Sequence, residues 1–214
     1  MTAVPGTDPF ANSSGTSVVF NDRFKAMASY DFGLIFASRF LSIRTGLEVF
    51  QPPELKGVTG STAAGASLYT FDSAVSGYAL KGGLEGNLMT GKTNRFGFVS
   101  EAGLVNLTVQ NSYKFTTAGT ARFGLSDFRE ELKGTALMIA GGFLYEFLLS
   151  DTTTFFMDAG YRSLNVAALS HNLAVTNFQG AVTVGGQAYN NDLITKRAIN
   201  LSGVYLAAGL RFWL

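Results

Sequence analysis

The stretch AINLSGVYLAAGLRFWL, residues 198–214, alternates apolar side chains with small or polar ones. Apolar groups occupy every second position from Val204 to Leu214. The intervening row holds glycine, alanine, two aromatic residues and the single cation Arg211. Because successive side chains of a β-strand point to opposite faces, this two-residue period predicts a strand. One face of that strand would be apolar, and the other would carry small groups and one charge.

The same two-residue period recurs in three pairs of segments, each pair joined by a short polar turn. In every segment the charged side chains share one face with glycines, while the opposite face is apolar. This pattern predicts three β-hairpins. They span approximately residues 28–49 with a turn near Ser38 and Arg39, residues 75–110 with a turn at 90–94, and residues 137–162 with a turn at 150–152.

The composition limits the class of protein. The 214 residues are 47% hydrophobic, yet no run approaches the roughly 18 apolar residues of a membrane-spanning helix. A net charge of +1 gives no electrostatic basis for binding nucleic acid, and the lack of cysteine excludes disulfides and thiolate sites. The start MTAVPGTDPFANSSG is polar and contains no export leader, so we expect that any leader has been removed.

The connections between the predicted strands alternate in length. The three turns are short, whereas segments 51–74, 111–134 and 167–197 are long and rich in Gly, Ser, Thr and Asn. Bacterial outer-membrane barrels have short periplasmic turns and long outer loops. The last strand follows a long segment, so its carboxyl end falls on the side of the short turns. Within the third long segment, residues 173–189 form a weak hairpin pattern that we expect to project outward.

The final strand and the alternating connections resemble those of small bacterial outer-membrane β-barrels, such as the OmpA transmembrane domain, OmpX and OmpW. The resemblance implies an all-β fold: a transmembrane, antiparallel, up-and-down barrel of eight strands in the bacterial outer membrane. Seven strands are clear from the pattern, and we expect the eighth at Gly15–Phe20. The predicted domains are an N-terminal extension over residues 1–15 and the barrel over residues 16–214.

A soluble barrel of the lipocalin type would place the apolar rows inside and the charged rows in water. Residue size argues against that arrangement, because the charged rows are rich in glycine and hold few charges. The interior of an eight-stranded barrel is just wide enough for its own side chains. Rows of Phe, Tyr and Leu would overfill it, so we expect the polar rows to face inward.

Inward polar rows would bring five cations and six anions together in the lumen. An isolated buried charge is costly, so these groups are expected to pair in a network that fills and stabilises the barrel. An ion gate, a polar pathway and an acid–base pair involving Glu85 are the alternatives. The predicted lumen network comprises Asp31, Arg44, Glu48, Lys81, Glu85, Arg95, Glu101, Glu146, Asp158, Arg162 and Arg211.

Aromatic residues cluster near the short turns and the carboxyl end of the chain. Aromatic side chains of barrels gather at the membrane interface, so these residues are predicted to form one girdle. The girdle comprises Phe36, Phe96, Phe98, Phe147, Phe155, Phe212 and Trp213.

Signals for catalysis, metals and cofactors are nearly absent. His171 is the single histidine, and its neighbours in Ser170-His171-Asn172 would point to opposite faces of a strand. We therefore expect an exposed loop histidine, no catalytic residue, no metal and no cofactor. The mixed-charge stretch at residues 126–134 is expected to be a solvated loop or a short surface helix.

These observations favour a non-enzymatic structural or interaction barrel: an envelope anchor, an adhesin or an accessory subunit. The expected partners are the lipid bilayer, lipopolysaccharide and a protein bound through segments 51–74, 111–134 and 167–197; nucleic acid is not expected. The alternative is a narrow pore or an OmpW-like path for small or hydrophobic solutes. An envelope enzyme that uses His171 is a third hypothesis.

Overall fold

The computed structural model describes residues 16–19, 28–38, 40–51, 54–62, 65–189 and 194–213. These residues form antiparallel β-structure with one short helix, as the alternating pattern predicts. No helix in this part of the chain is long and apolar enough to cross a membrane. The elements are β1 Thr16–Val19, β2 Ala28–Phe36, β3 Leu41–Gln51, β4 Leu55–Thr62, β5 Ser67–Thr90, β6 Asn94–Phe115, α1 Thr117–Phe123, β7 Phe128–Ser150, β8 Thr153–Val166, β9 Ser170–His171, β10 Val175–Asn177, β11 Gly180–Val182, β12 Ile199–Asn200 and β13 Gly203–Phe212.

Eleven strands form one sheet, and β10 pairs with β11 separately. Several of the strands lie end to end, so the eleven strands of the main sheet occupy seven neighbouring positions across it. β1 pairs with β4 and β2 with β3, while β3 and β4 both pair with β5. β5, β6 and β7 each fill one position. β8 and β9 both pair with β7, and β12 and β13 both pair with β8.

The three predicted hairpins are confirmed as β2–β3, β5–β6 and β7–β8, and the predicted final strand is confirmed as β13. The lengths of the loops were predicted wrongly. Segments 51–74 and 111–134 consist largely of strand, because β5, β6 and β7 continue through 24, 22 and 23 residues. The polar residues of these segments form one face of each extended strand. Their composition resembles that of loops, which is why these segments were predicted to be loops.

The prediction of eight strands closed into a barrel is corrected within the described residues. The strand expected at Gly15–Phe20 exists as β1, but it pairs with β4 and continues the position of β2. No ladder joins the end strands β2 and β13. The sheet nevertheless curls strongly. This curl is evident from Arg211 of β13, which contacts Glu85 of β5 across the interior.

Glycines allow neighbouring strands to approach closely on the concave face. Gly142 of β7 pairs with Gly160 of β8. A Cβ atom added to Gly142 would lie 2.4 Å from the carbonyl oxygen of Ala159, and one added to Gly160 would lie 2.2 Å from that of Gly141. A larger residue at either position would therefore force the two strands apart, which explains why this part of the polar row is so small.

Each long strand divides into two halves of opposite polarity. On β6 the boundary falls between Leu104 and Asn106, which pair with Leu137 and Thr135 of β7. We call the part that leads to the short turns the turn half and the other part the loop half. In the turn half of β6 the outward residues are Phe96, Phe98, Ser100, Ala102 and Leu104, and in the loop half they are Asn106, Thr108, Gln110, Ser112 and Lys114.

The inward row reverses at the same boundary. In the turn half of β6 this row includes Arg95 and Glu101 among small residues, but in the loop half it continues as Val105, Leu107 and Val109, which are all buried. The same change occurs on β5, β7 and β8. The prediction that small and ionic residues line the whole interior is therefore wrong for the loop half. An apolar core fills that half instead: Phe50, Leu55, Val75, Ala79, Val105, Leu107, Val109, Leu132, Met138, Leu164, Val166, Leu169, Ala188 and Leu201.

Candidate functional site in the interior of the sheet

All eleven residues of the predicted lumen network lie on the concave face of the turn half and contact one another. Glu85 is the centre of the network on one side. Arg211 forms two hydrogen bonds to its carboxylate, with N–O distances of 2.6 and 3.0 Å. Arg44 and Arg95 each add a bond of 3.1 Å. Glu146 lies beside Glu85 and also binds Arg211 and Arg95.

Lys81 is the centre of a second group of charges. Its Nζ atom lies 2.5 Å from Asp31, 3.2 Å from Glu101 and 3.3 Å from Glu48. Arg44 joins the two groups, because its Nε atom lies 2.7 Å from Glu101 while its Nη1 atom binds Glu85. The network therefore runs without a break across β2, β3, β5 and β6.

The remaining pairs connect the two ends of the curled sheet. Arg162 of β8 donates to Glu48 of β3 at 2.6 Å, and its guanidinium lies 5.3 Å from the centre of the Phe50 ring. Asp158 of β8 lies 3.6 Å from Arg44 of β3 across the interior, and it accepts a hydrogen bond of 2.9 Å from the Tyr205 hydroxyl of the neighbouring β13. Charges that would be isolated on a flat sheet thus find partners because the sheet curls.

Burial in this network is nearly complete on the central strands. The side chains of Glu85, Lys81 and Arg211 are 1%, 5% and 7% exposed. Asp31 on the end strand β2 differs, with 38% of its side chain exposed. Paired charges therefore occupy the concave face of the turn half, with the deepest burial on β5.

Residues 167–189 and 194–202 fold back into the loop half, and we call them the plug segment. Leu169, Ala188 and Leu201 from this segment belong to the apolar core. Backbone hydrogen bonds join its parts: Leu169 N to Arg197 O, Ala188 N to Leu169 O, and Arg197 N to Ala188 O. The hairpin expected to project outward instead contributes Asn177 to the buried interior. The described part of segment 167–197 therefore contributes to the interior of the loop half.

A buried polar cluster fastens the plug segment to β7. Glu130, which is 1% exposed, accepts hydrogen bonds from Arg197 at 2.6 Å, Asn111 at 2.8 Å and Asn177 at 3.2 Å. Asn111 also accepts a bond of 2.8 Å from Ser73. Because three donors surround one carboxylate, loss of Glu130 would leave buried polar groups unpaired on several elements.

Aromatic rings cover this cluster at the loop end. Phe178 of the plug segment lies 5.3 Å from Tyr113 and 5.6 Å from Phe128 between ring centres. Phe123 of α1 lies 5.6 Å from Phe178. The helix begins after Thr116, whose hydroxyl caps the Gly119 amide, and it ends at Gly124 in the left-handed conformation. The interior thus has an ionic layer, an apolar layer and a polar layer beneath an aromatic cap.

The expectation of an exposed loop histidine is wrong, because His171 is 2% exposed. It lies on β9 opposite Leu132, and neither ring nitrogen has a hydrogen-bond partner among the described residues. Burial lowers the pKa of His171 below its ordinary value near 6.5, Glu130 opposes this shift and Arg197 adds to it. Burial therefore favours the neutral form of the imidazole.

Acidification is expected to loosen the plug segment through His171. The unfolded imidazole binds a proton below about pH 6.5 while the buried one resists protonation, so stability is complete above that pH and falls below it. Hydrogen exchange at the amides of Leu169, Ala188 and Arg197, corrected for intrinsic rates, should show less protection at pH 5 than at pH 7. His171→Leu should remove this difference. Equal pH dependence in both proteins would contradict the assignment to His171.

The predicted girdle residues lie at the turn end of the sheet. Phe36 and Phe212 point outward and are 63% and 70% exposed, while the rings of Phe147 and Phe155 lie 5.2 Å apart. Trp213 donates its indole N–H to Thr154 at 3.3 Å. Phe98 is 39% exposed, and Phe96 is partly exposed and stacks on Phe143.

Sequence reasoning missed the cluster around Glu130 and misassigned the stretch 126–134. This stretch starts β7 and places Glu130 inward, with Arg129 and Glu131 on the opposite side of the strand. The alternation of Phe128, Glu130 and Leu132 with charged residues was the available signal. No group of residues suited to hold a metal occurs in the described ranges.

Comparison with protein-family models and with curated proteins found no match for this chain. Function is therefore inferred from the residues and their geometry.

Proposed function

We propose that this protein is a non-enzymatic outer-membrane barrel that anchors a folded extension at the outer surface. The observation that carries the proposal is the reversal of polarity along β5 to β8. An apolar outer face around an ionic interior suits a lipid environment, whereas a polar outer face around an apolar core suits water. The same strands carry both patterns, so they would pass from lipid into water.

The length of the apolar outer band supports this placement. On β6 the band runs from Phe96 to Leu104. These residues approach the roughly 9–11 residues that a tilted β-strand needs to span the apolar layer of a membrane. Beyond Leu104 the strand continues for eleven more residues to Phe115, which would form the extension outside the membrane.

The ionic interior weighs against a soluble barrel. A soluble protein with this fold would expose Phe32, Leu80 and Leu104, each more than 60% exposed, on one broad face. It would also bury charged groups in the same half of the molecule. Exposed apolar patches of that size mark contact with a membrane or a partner.

The loop half is the proposed interaction surface. Its outer face carries Lys114, Arg129 and Lys133, which are exposed, and it would stand just above the outer leaflet. Cations at this height suit the phosphate groups of lipopolysaccharide. A protein partner would contact the rim around α1 and β10–β11, since most of the predicted loops are strands or plug.

A path for small hydrophobic solutes is the second candidate, and one groove favours it. The ladder on β5 is interrupted between the pair Phe50–Gly77 and the pair Leu55–Ser73. A groove of about 610 Å³ lies there, lined by outward Leu47, Val49 and Tyr78 and by Phe50 of the apolar core. An apolar solute could enter the wall at this point, whereas the ionic layer would block passage of ions.

Fluorescence of a single tryptophan placed on the outward row tests the proposed membrane placement, because Phe212 points outward and is 70% exposed whereas Trp213 donates to the inward Thr154. In a Trp213→Phe background, Phe212→Trp should be quenched by phospholipids brominated near the head group and protected from aqueous iodide in vesicles, because the girdle would lie at the interface. As a control, Lys133→Trp in the same background should be quenched by iodide and spared by the lipids. A soluble, lipid-free protein in which the Phe212→Trp side chain is accessible to iodide would refute the proposal. A steady ionic current from the reconstituted protein would instead favour a pore.

A further inference from the structure

We propose that the groove on the outward face at the end of β3 binds one membrane amphiphile of the monoacylglycerol type, with an acyl chain and an uncharged, hydroxyl-bearing head. The inference rests on the proposed membrane location, because the ligand would come from the surrounding leaflet. The groove of about 610 Å³ lies where β5 changes partner, between the pair Phe50–Gly77 and the pair Leu55–Ser73.

The lining of this groove changes from apolar to polar across the proposed membrane boundary. Leu47 lies on the membrane side of the boundary, where it pairs with Leu80. Val49 and Tyr78 lie at the boundary itself, because Tyr78 pairs with Val49 on one side and with Asn106 on the other. An acyl chain would contact the apolar part of the lining, and its head would contact the polar part. The polar part comprises Gln51, Ser76, Asn106 and Thr108.

The groove is closed toward the interior, which makes it a binding site instead of an entrance. Its floor includes Phe50, which is 0% exposed and belongs to the apolar core. The guanidinium of Arg162 lies 5.3 Å from the centre of the Phe50 ring. The volume falls within the roughly 300–1,000 Å³ of small-molecule sites. The groove can therefore hold the head and the adjoining part of the chain, while the rest of the chain would lie in the bilayer.

The polar lining determines the chemistry of the head. Gln51 and Ser76 are exposed, and Asn106 and Thr108 are partly exposed. Their amide and hydroxyl groups both donate and accept hydrogen bonds, as the hydroxyl groups of a glycerol head do. None of the described residues that line the groove is charged, so a charged head would gain no ion pair there. The lining therefore favours an uncharged, hydroxyl-bearing head.

Two matched tryptophan reporters in the Trp213→Phe background test the site. Leu80→Trp places a reporter beside the groove and leaves the lining intact. Leu137→Trp is the control, because Leu80 and Leu137 both pair with Leu104 and are 63% and 59% exposed. The two reporters therefore lie at the same depth, and Leu137 is not part of the groove.

The probe is a monoacylglycerol whose acyl chain is brominated near the head, added to phosphatidylcholine vesicles that contain the protein. Half-maximal quenching of the Leu80→Trp reporter should need about tenfold less probe than that of the Leu137→Trp reporter, because hydrogen bonds to the head would add to ordinary partition into the bilayer. An alkyl sulfate with the same brominated chain should quench both reporters equally. In the Leu80→Trp protein, Asn106→Leu combined with Thr108→Val should remove the preference for the monoacylglycerol.

The outcomes separate this site from the proposed function. Equal quenching of the two reporters by the monoacylglycerol would overturn the site, while Phe212→Trp still reports membrane placement. An equal preference for the alkyl sulfate would overturn the assigned head, and a preference that survives Asn106→Leu with Thr108→Val would overturn the role of the polar lining. A lipid-free soluble protein, reported by Phe212→Trp, would overturn both the proposed function and the site.

Discussion

Arg211→Met is expected to destabilise the folded protein by about 3–5 kcal/mol, because it removes one partner from a buried ion pair. The Arg211 side chain is 7% exposed and contacts Glu85 and Glu146. Methionine fills much of the same volume, so the loss is mainly one of charge pairing. Denaturant unfolding in vesicles, followed by Trp213 fluorescence, measures the free energy of unfolding.

Two controls distinguish a pairing effect from a general loss of charge. Lys56→Met removes an exposed cation that lies 2.8 Å from Glu54, and it should leave stability unchanged because both side chains are largely in water. Arg211→Met combined with Glu85→Gln should recover part of the lost stability, since the second change removes the unpaired carboxylate. Equal stability of Arg211→Met and the parent protein would refute a tightly paired ionic layer.

The arrangement of the hairpins could be predicted from the sequence because the side-chain period of a strand is two. On β3 the alternate row Leu41, Ile43, Thr45, Leu47 and Val49 is apolar except for Thr45, and it is the exposed row in the fold. The eleven charges could also be assigned to one side, because each lies in a row with glycines. Their specific partners could not be predicted, since contacts such as Arg162 with Glu48 join residues 114 positions apart.

The reversal of polarity was missed although the sequence contains its signal. On β6 the apolar residues change from even to odd positions at Leu104 and Val105. Two adjacent apolar residues thus mark the point where the apolar residues move from the outward row to the inward row. The strand itself continues without interruption. The phase of the turn half alone predicts a strand only as far as residue 110, so outward polar residues beyond it, such as Ser112 and Lys114, resemble loop sequence.

The burial of the plug segment could not be predicted from the sequence pattern. Its residues show no sustained period, and their burial depends on Glu130, which lies 47 residues from Asn177 and 67 from Arg197 along the chain. A lone histidine in such a segment suggests a solvated loop. His171 is buried because β9 pairs with β7, a contact that local sequence does not specify.

Leu84→Arg is expected to lower the free energy of unfolding in bilayers by about 2–4 kcal/mol, the cost of arginine on a lipid face near mid-membrane. Leu84 is 43% exposed on the outward row of β5 and pairs with Ser100, the middle of the apolar band on β6. Under the proposed membrane placement, the guanidinium would lie in hydrocarbon, far from either interface.

Ser76→Arg is the matched control, because Ser76 is on the same strand and the same outward row but belongs to the loop half. It pairs with Thr108, where the outer face is polar, so we expect a change within about 0.5 kcal/mol, as at ordinary surface positions. A large cost for Leu84→Arg alone would place the lipid boundary between these two residues. Equal tolerance of both changes, in a protein that stays soluble without detergent, would contradict the membrane assignment and favour a soluble barrel.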